Sequence, residues 1–200
     1  MRYTYIGFVE QTTLRKSEDS IRSDLMWCIL KCRPGRSEEI MASCRQTIPD
    51  SILQDIFAFT CDRMKRYQGS WHIEKTSMFP DYVFLETGNI RALSECLEPY
   101  REFTCVLEDE AEYHGLLRRV SPEEEILLRR LGGPEHHLGI SQGYISDGIT
   151  HVTQGPLVGM ERRIRKIDRH KRIAWIEYPA DGVGAPRAPF TAGLEITSKT

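Results

Sequence analysis

The sequence predicts an α+β fold for the first half of the chain and a small β-barrel for its last sixty residues. In the first half, apolar runs of strand length alternate with helical periodicity in the order β-α-β-(hairpin)-β-α-β. This order suits an antiparallel sheet with helices packed on it. Beyond residue 140, glycines and prolines separate short apolar runs, a pattern typical of short strands joined by turns in a small barrel.

Five strand segments are predicted in the first half. The run 25–32 is almost continuously apolar, and 56–61 repeats that pattern. The segment 63–75 reads as a hairpin that turns at Gln68-Gly69-Ser70. The strongest strand signal of the chain follows at 78–86, and 103–107 is predicted as another strand.

Three helices are predicted from apolar stripes and end signals. Ser37 is expected to cap the first helix, which Pro49 ends. The spacing of Ile90, Leu93 and Leu97 predicts the second. A third, short helix begins with a capping box at 121–124 and stops at Gly132-Gly133-Pro134.

Composition suggests four parts of the chain. Residues 1–23 are a charged tail with no readable function, and 24–118 form the first domain. Because 108–125 carry seven acidic residues, 119–139 are interpreted as an acidic linker that contains the short helix. Residues 140–200 form the barrel domain.

Charge and cysteine content limit the classes of function. The chain has 200 residues, with 27 Lys+Arg against 29 Asp+Glu, so bulk charge does not favour coating of nucleic acid. No apolar run approaches the roughly 18–20 residues of a membrane span. No signal peptide is visible at the N-terminus, and we expect a cytoplasmic protein that does not contact membranes. Six cysteines without a Cys-x-x-Cys pair favour reduced core thiols over a metal site.

Two segments together resemble the NusG family of transcription elongation factors. The run Phe79-Pro80-Asp81-Tyr82-Val83-Phe84 is similar to the family's Phe-Pro-(Gly or Asn)-Tyr-(aliphatic)-Phe strand. Residues 152–159, followed by 164–168, resemble its KOW motif, and Trp27 and Pro34-Gly35 also fit. The sequence departs from the family pattern at Asp81, where Gly or Asn is usual, and at Arg162, which replaces a KOW glycine.

Within the family, the chain looks most like the LoaP-type antiterminators. The similarity covers about 24–200 and is carried by 141–143, 155–157, 167–174 and 193–196. It implies an NGN domain, an α/β sandwich with an antiparallel sheet, followed by a KOW domain with an SH3-like barrel. It also implies a monomeric elongation factor that docks on the clamp helices of the largest RNA polymerase subunit and suppresses pausing and termination. No cofactor, metal or catalytic residue is expected.

Four aromatic residues are predicted to bind the polymerase. The resemblance implies a hydrophobic depression that grips the clamp helices, because aromatic side chains supply large contact areas at low entropic cost. The alternative is ordinary packing in the core. The predicted residues are Trp27, Phe79, Tyr82 and Phe84.

The resemblance implies that the segment Glu161–Arg172 contacts a hairpin of the nascent leader RNA. The segment holds seven cations against two acids, and the arginine fork pairs with phosphate oxygens and stacks on unpaired bases. By strand alternation, Arg163 and Arg165 are expected to share a face. The alternatives are a solvated hairpin, or a general NusG whose barrel binds a termination factor or a ribosomal protein. The predicted residues are Arg162, Arg163, Arg165, Lys166, Arg169, His170, Lys171 and Arg172.

A second basic and aromatic group lies on the predicted hairpin of the first domain. The resemblance places this hairpin near the non-template DNA strand, and the alternative is a solvated, mobile hairpin. The residues are Lys65, Arg66, Tyr67 and Trp71. An enzyme is not expected, because Cys105 and His114 have no third, orienting group in a recognisable spacing; a Cys-dependent enzyme is the alternative from a different class.

Overall fold

The computed structural model describes residues 25–105, 113–177 and 190–200, so the N-terminal tail lies outside the described residues. Its helices are α1 (Ser37–Thr47), α2 (Ile90–Leu97) and α3 (Pro122–Gly132). Its first strands are β1 (Met26–Lys31), β2 (Asp55–Phe57), β3 (Thr60–Tyr67), β4 (Ser70–Ser77), β5 (Tyr82–Thr87), β6 (Tyr113–His114) and β7 (Leu117–Arg119). The later strands are β8 (His137–Leu138), β9 (Ser141–Ser146), β10 (Ile149–Gln154), β11 (Ile164–Asp168), β12 (Ile173–Ile176) and β13 (Phe190–Lys199). Within these ranges no helix is both long and apolar enough to cross a membrane.

The first sheet has the strand order β2-β5-β1-β7-β6, and its neighbours pair antiparallel. Side chains alternate between its two faces. One face carries Cys28, Leu30 and Leu85, which share an apolar cluster with residues of α1 and α2. The combination of helices with antiparallel strands agrees with the predicted α+β class.

The β3–β4 hairpin forms a second sheet together with β8, which pairs parallel to β3. Its two-residue turn has φ of 51° at Gln68 and 79° at Gly69, both in the left-handed region. Turns of that kind match the twist of the paired strands. The prediction of a hairpin turn at this point is therefore confirmed.

The third sheet contains the C-terminal strands in the order β10-β9-β13-β12-β11. The ten-residue strand β13 pairs with β12 through its first half and with β9 through its second half. Its core includes Leu157, Ala174, Ala192 and Leu194, which are all fully buried. The short strands predicted for this region are present.

Several predicted elements differ in their bounds. Ser37 is the first helical residue of α1 rather than its cap, since Arg36 occupies the cap position and makes no side-chain capping bond. The predicted strand 78–86 begins only at Tyr82, because Pro80 has no N–H and Asp81 turns the chain with φ of 65°. The predicted strand 56–61 is divided between β2 and β3.

The predicted strand 103–107 is not formed where the structure describes it. Phe103 ends a 3-10 helix (Glu98–Phe103), and Thr104 makes an isolated bridge to Cys32. The rest of that segment, from residue 106, lies outside the described residues. The helix predicted at 121–132 is confirmed, with its capping box between Ser121 and Glu124.

The N-terminal and C-terminal parts of the chain are in contact. One apolar cluster includes Phe59 and Cys61 from the first part and Val152 and Leu157 from the second. β13 can approach β3 closely because Gly193 has no side chain. A Cβ added at this position would lie 3.2 Å from the carbonyl oxygen of Asp62. The division into domains at 24–118 and 140–200 stays a prediction.

Candidate nucleic-acid interface

The basic segment 161–172 is a folded and exposed surface. Arg162 and Arg163 lie in a 3-10 turn, Arg165 and Lys166 in β11, and the next residues in the β11–β12 turn. Its exposed side chains are Arg162, Arg163, Arg165, Lys166, Arg169, His170 and Lys171. Lys171 donates its backbone N–H to Asp168 Oδ1 at 2.9 Å, which fixes the turn and lowers the pKa of that carboxyl.

Most cations of this segment have no ion pair within residues 25–105, 113–177 and 190–200. Arg165 pairs with Glu177, and Lys166 lies over the Trp175 ring at 5.0 Å. Arg162, Arg163, Arg169 and Lys171 make no ion pair with any residue that the structure describes. Exposed, unpaired guanidinium and ammonium groups are those that can bind phosphate.

The expectation that Arg163 and Arg165 share one strand face loses its basis, because the two residues do not lie on one regular strand. Arg163 precedes β11 and belongs to the 3-10 turn, so the alternation of a strand does not apply to it. Arg165 lies at an irregularity between Ile164 and Lys166, where the register with β12 shifts. Proximity of these two side chains therefore does not follow from their spacing.

Arg172 differs from the other predicted RNA-binding residues. Its guanidinium lies 4.1 Å from the Trp71 ring, and its Nη1 pairs with Glu195 Oε1 at 2.6 Å. The same nitrogen is 3.8 Å from Met64 Sδ. With 24% of its side chain exposed, Arg172 connects the third sheet to the hairpin and does not belong to the open basic surface.

The residues predicted to face DNA are distributed over the β3–β4 hairpin. Lys65 pairs with Glu74, whereas Arg66 is exposed. The Tyr67 ring stacks on His72, with 3.7 Å between centroids. Trp71 is half-buried beneath Arg172. Arg66 and the outer face of Tyr67 are thus the parts open to a partner.

The aromatic residues predicted to bind polymerase lie on the second face of the first sheet, and most are enclosed. Trp27 and Phe84 are each 1% exposed and Phe79 is 4% exposed. Only Tyr82 is partly exposed, with Lys31 Nζ at 5.9 Å from its ring centroid. In this conformation three of the four side chains cannot reach a partner.

Helix α3 covers this aromatic face. Its buried residues Leu127, Leu128 and Leu131 share an apolar cluster with Trp27 and Phe84. The sequence contained a signal for this packing, namely the apolar stripe that follows the capping box.

Polar contacts hold α3 on β1 and β5. Glu125 accepts a hydrogen bond from the Trp27 backbone N–H at 3.1 Å. Arg129 lies 4.1 Å from the Trp27 ring and pairs with both Glu86 and Glu125. The charges of Glu86, Glu125 and Arg129 are therefore paired with one another and hold the helix on the sheet.

His136 completes the cover after α3 ends. Its ring stacks on Phe57 with 3.4 Å between centroids, and burial lowers its pKa. The next residue, His137, contacts Thr60 Oγ1 through Nδ1 at 2.8 Å and Asp62 Oδ1 through Nε2 at 3.1 Å. Neither role was predicted, because both depend on residues more than seventy positions away.

Three buried cysteines carry protonated thiols, and the described residues do not assemble a metal centre. Burial raises the pKa of Cys28 and Cys32 to about 12 and that of Cys44 to about 11, which keeps these thiols protonated at neutral pH. No group of three or more metal-ligating side chains comes together in the described part of the chain. No protein-family model matches the chain, and no curated protein matches it with significance.

Proposed function

We propose that this chain is a NusG-like transcription elongation factor of the LoaP type, whose basic segment contacts nascent RNA. The observation that carries the proposal is the set of exposed cations on the folded segment 161–172, four of which lack an ion pair among the described residues. The resemblance of 79–84 and 152–159 to NusG sequences supports the same function. Binding and positioning suffice for it, so no catalytic group is required.

The charge distribution supports a localised contact with RNA. The segment 161–172 carries a net charge of +5 in a chain of net charge −2, which leaves −7 on the rest. Arginine forks pair with phosphate oxygens and stack on unpaired bases. The acidic remainder repels nucleic acid over much of the rest of the surface, which favours binding at the basic segment.

Docking on polymerase is assigned to the uncovered end of the aromatic face. There Tyr82 offers a partly exposed ring beside Lys31 and the Asp81 turn. A factor bound at the clamp helices favours the closed clamp over the paused form, as any ligand does that binds one of two states better. Trp27, Phe79 and Phe84 contribute by supporting this surface from below.

The RNA contact is tested with the full chain and a structured leader RNA. We expect Arg162→Gln with Arg169→Gln to weaken binding and to reduce the slope of log K against log salt by about one per lost contact. Arg91→Gln with Arg119→Gln is the matched control, since it removes two exposed cations outside the segment. Absence of RNA binding at low salt contradicts the RNA contact.

The polymerase contact is tested with Tyr82→Ala. We expect a loss of about 2 kcal/mol in binding to purified RNA polymerase if this ring is a hot spot. Thermal unfolding is measured in parallel, because a half-buried ring also contributes to stability. A well-folded variant with unchanged polymerase binding would rule out this surface.

One observation favours the second candidate function, a general NusG that binds a protein through its barrel. Tyr144 and Ile149 are exposed on the β9–β10 hairpin, and β10 is an edge strand of the third sheet. Exposed apolar side chains at a sheet edge suit a termination factor or a ribosomal protein. A chain that binds polymerase but not RNA in the two assays above favours this candidate.

A further inference from the structure

The two candidate nucleic-acid patches, one on the hairpin and one on the third sheet, meet in the structure. In the β3–β4 ladder Arg66 is opposite Trp71, and Met64 is opposite Ile73. Opposed residues share a face, and so do residues two apart on a strand. These four side chains therefore lie on one face of the hairpin, here called the hairpin face.

Arg172 shows that the hairpin face is turned toward the third sheet. Its guanidinium contacts two members of that face, Trp71 at 4.1 Å and Met64 Sδ at 3.8 Å. Lys171 precedes it, so their Cα atoms are about 3.8 Å apart. The C-terminal end of the exposed β11–β12 turn therefore lies beside the hairpin face.

The position of this turn is fixed from several sides. The carbonyl oxygen of Arg172 accepts the Leu194 N–H at 2.9 Å, and its side chain pairs with Glu195 on the same strand. The absence of a side chain at Gly193 lets β13 lie against the Asp62 carbonyl of β3. The junction is built by backbone and side-chain contacts together, not by a single flexible arginine.

We propose that the hairpin face and the turn residues 169–171 form one surface that binds a single nucleic-acid strand across the junction. This inference rests on the proposed function and specifies where the strand runs. Arg66, Arg169 and Lys171 are exposed on both sides of the junction and have no ion pair within the described residues. They supply the phosphate contacts.

The apolar members of the surface suit unpaired bases. Trp71 is half-buried with one side against Arg172, and Ile73 is 61% exposed next to it. A basic track with an aromatic ring is the usual arrangement for single strands, since each base offers a stacking face. Arg172 is already neutralised by Glu195, so it acts as a positioning residue that holds the two patches in line.

The test measures binding of the full chain to a fluorescent twelve-nucleotide RNA and to DNA of the same sequence, over a range of salt concentrations. We expect Arg66→Gln and Lys171→Gln each to weaken binding and to lower the salt slope by about 0.7 on a single strand. The double variant should lower it by about twice that amount. Arg91→Gln makes the same charge change on α2 and should have no effect.

Three further outcomes distinguish the proposals. If Arg162→Gln with Arg169→Gln weakens RNA binding but Arg66→Gln does not, the single surface is wrong and the proposed RNA contact stands. If Arg66→Gln affects only DNA and Lys171→Gln only RNA, the patches are separate sites and the single surface is again wrong. If the chain binds neither oligonucleotide nor the leader RNA at low salt, both proposals fail and a protein partner for this face is favoured.

Discussion

The aromatic face and the basic segment were both predicted as binding sites, yet the first is buried in the fold and the second is exposed. Trp27 and Phe84 are 1% exposed beneath α3, and the charges near them are paired with one another. Arg162 and Arg169 are exposed and lack an ion pair among the described residues. The rings and charges of the aromatic face are used for packing and ion pairs within the fold, whereas these two cations of the basic segment remain free to bind a partner.

Two arginines show the difference most clearly. Arg129 lies on the Trp27 ring and between Glu86 and Glu125, so its charge and its stem are both used within the fold. Arg162 has the same side chain and no such partners among the residues that the structure describes. The identity of the residue therefore does not decide between a structural and a binding role; the contacts around it do.

The largest effect expected from this comparison is on stability. Phe84→Ala should lower the free energy of unfolding by about 3–5 kcal/mol, because it leaves a cavity among packed rings. Arg162→Gln should change it by less than about 0.5 kcal/mol. Denaturant titration of both variants checks this. A Phe84→Ala chain as stable as the wild type would mean that the aromatic face is not packed and is free for docking.

A smaller effect is expected from the contacts that hold α3. Arg129→Met keeps much of the apolar stem but removes the guanidinium that pairs with Glu86 and Glu125. These two carboxylates are only 19% and 16% exposed. We expect a loss of about 2 kcal/mol in the free energy of unfolding.

Arg101→Met is the matched control for Arg129→Met. Arg101 pairs with Glu98 on an exposed surface, where an ion pair contributes little to stability. Equal losses in the two variants, measured by denaturant titration, would show that the Arg129 contacts do not hold α3 on the sheet.

Local signals in the sequence predicted local structure well. The capping box of α3, its stop at Gly132-Gly133 and the turn at Gln68-Gly69 are formed as expected, because each depends on residues within one or two turns. Asp81 is a related case. Its φ of 65° lies in the left-handed region, which is readily adopted by Gly and Asn, the usual residues in the NusG sequences that 79–84 resembles.

Long-range contacts were beyond prediction from the sequence. The acidic stretch was interpreted as a linker because it is rich in carboxylates and interrupted by Gly and Pro, but Glu124 is fully buried in the capping box and Glu125 binds the Trp27 backbone. Likewise, the charge of Arg172 suggested RNA, whereas its partner Trp71 lies 101 positions earlier. Which face an amphipathic helix covers, and which cation is already paired, depends on packing that no local pattern contains.

The smallest effect concerns His136, which belongs to the cover of the aromatic face. Burial lowers its pKa, while Asp55, Glu86 and Glu135 nearby favour the charged form and Arg129 opposes it. The folded chain thus prefers neutral histidine, whereas the unfolded chain binds a proton near the ordinary pKa of 6.5. The contribution of His136 to stability is fully present above about pH 6.5 and is lost as the pH falls through the lowered folded-state pKa.

The titration of His136 is isolated by comparing the wild type with His136→Asn. Asparagine does not titrate and tolerates the left-handed backbone of this position, where φ is 49°. The wild type should lose more stability than the variant between pH 7.5 and pH 5.5, as measured by denaturant titration at each pH. His170→Asn, on the exposed β11–β12 turn, is the matched control. Parallel pH profiles for the wild type and His136→Asn would show that the imidazole is not enclosed against Phe57, and the aromatic face would then be open at this end.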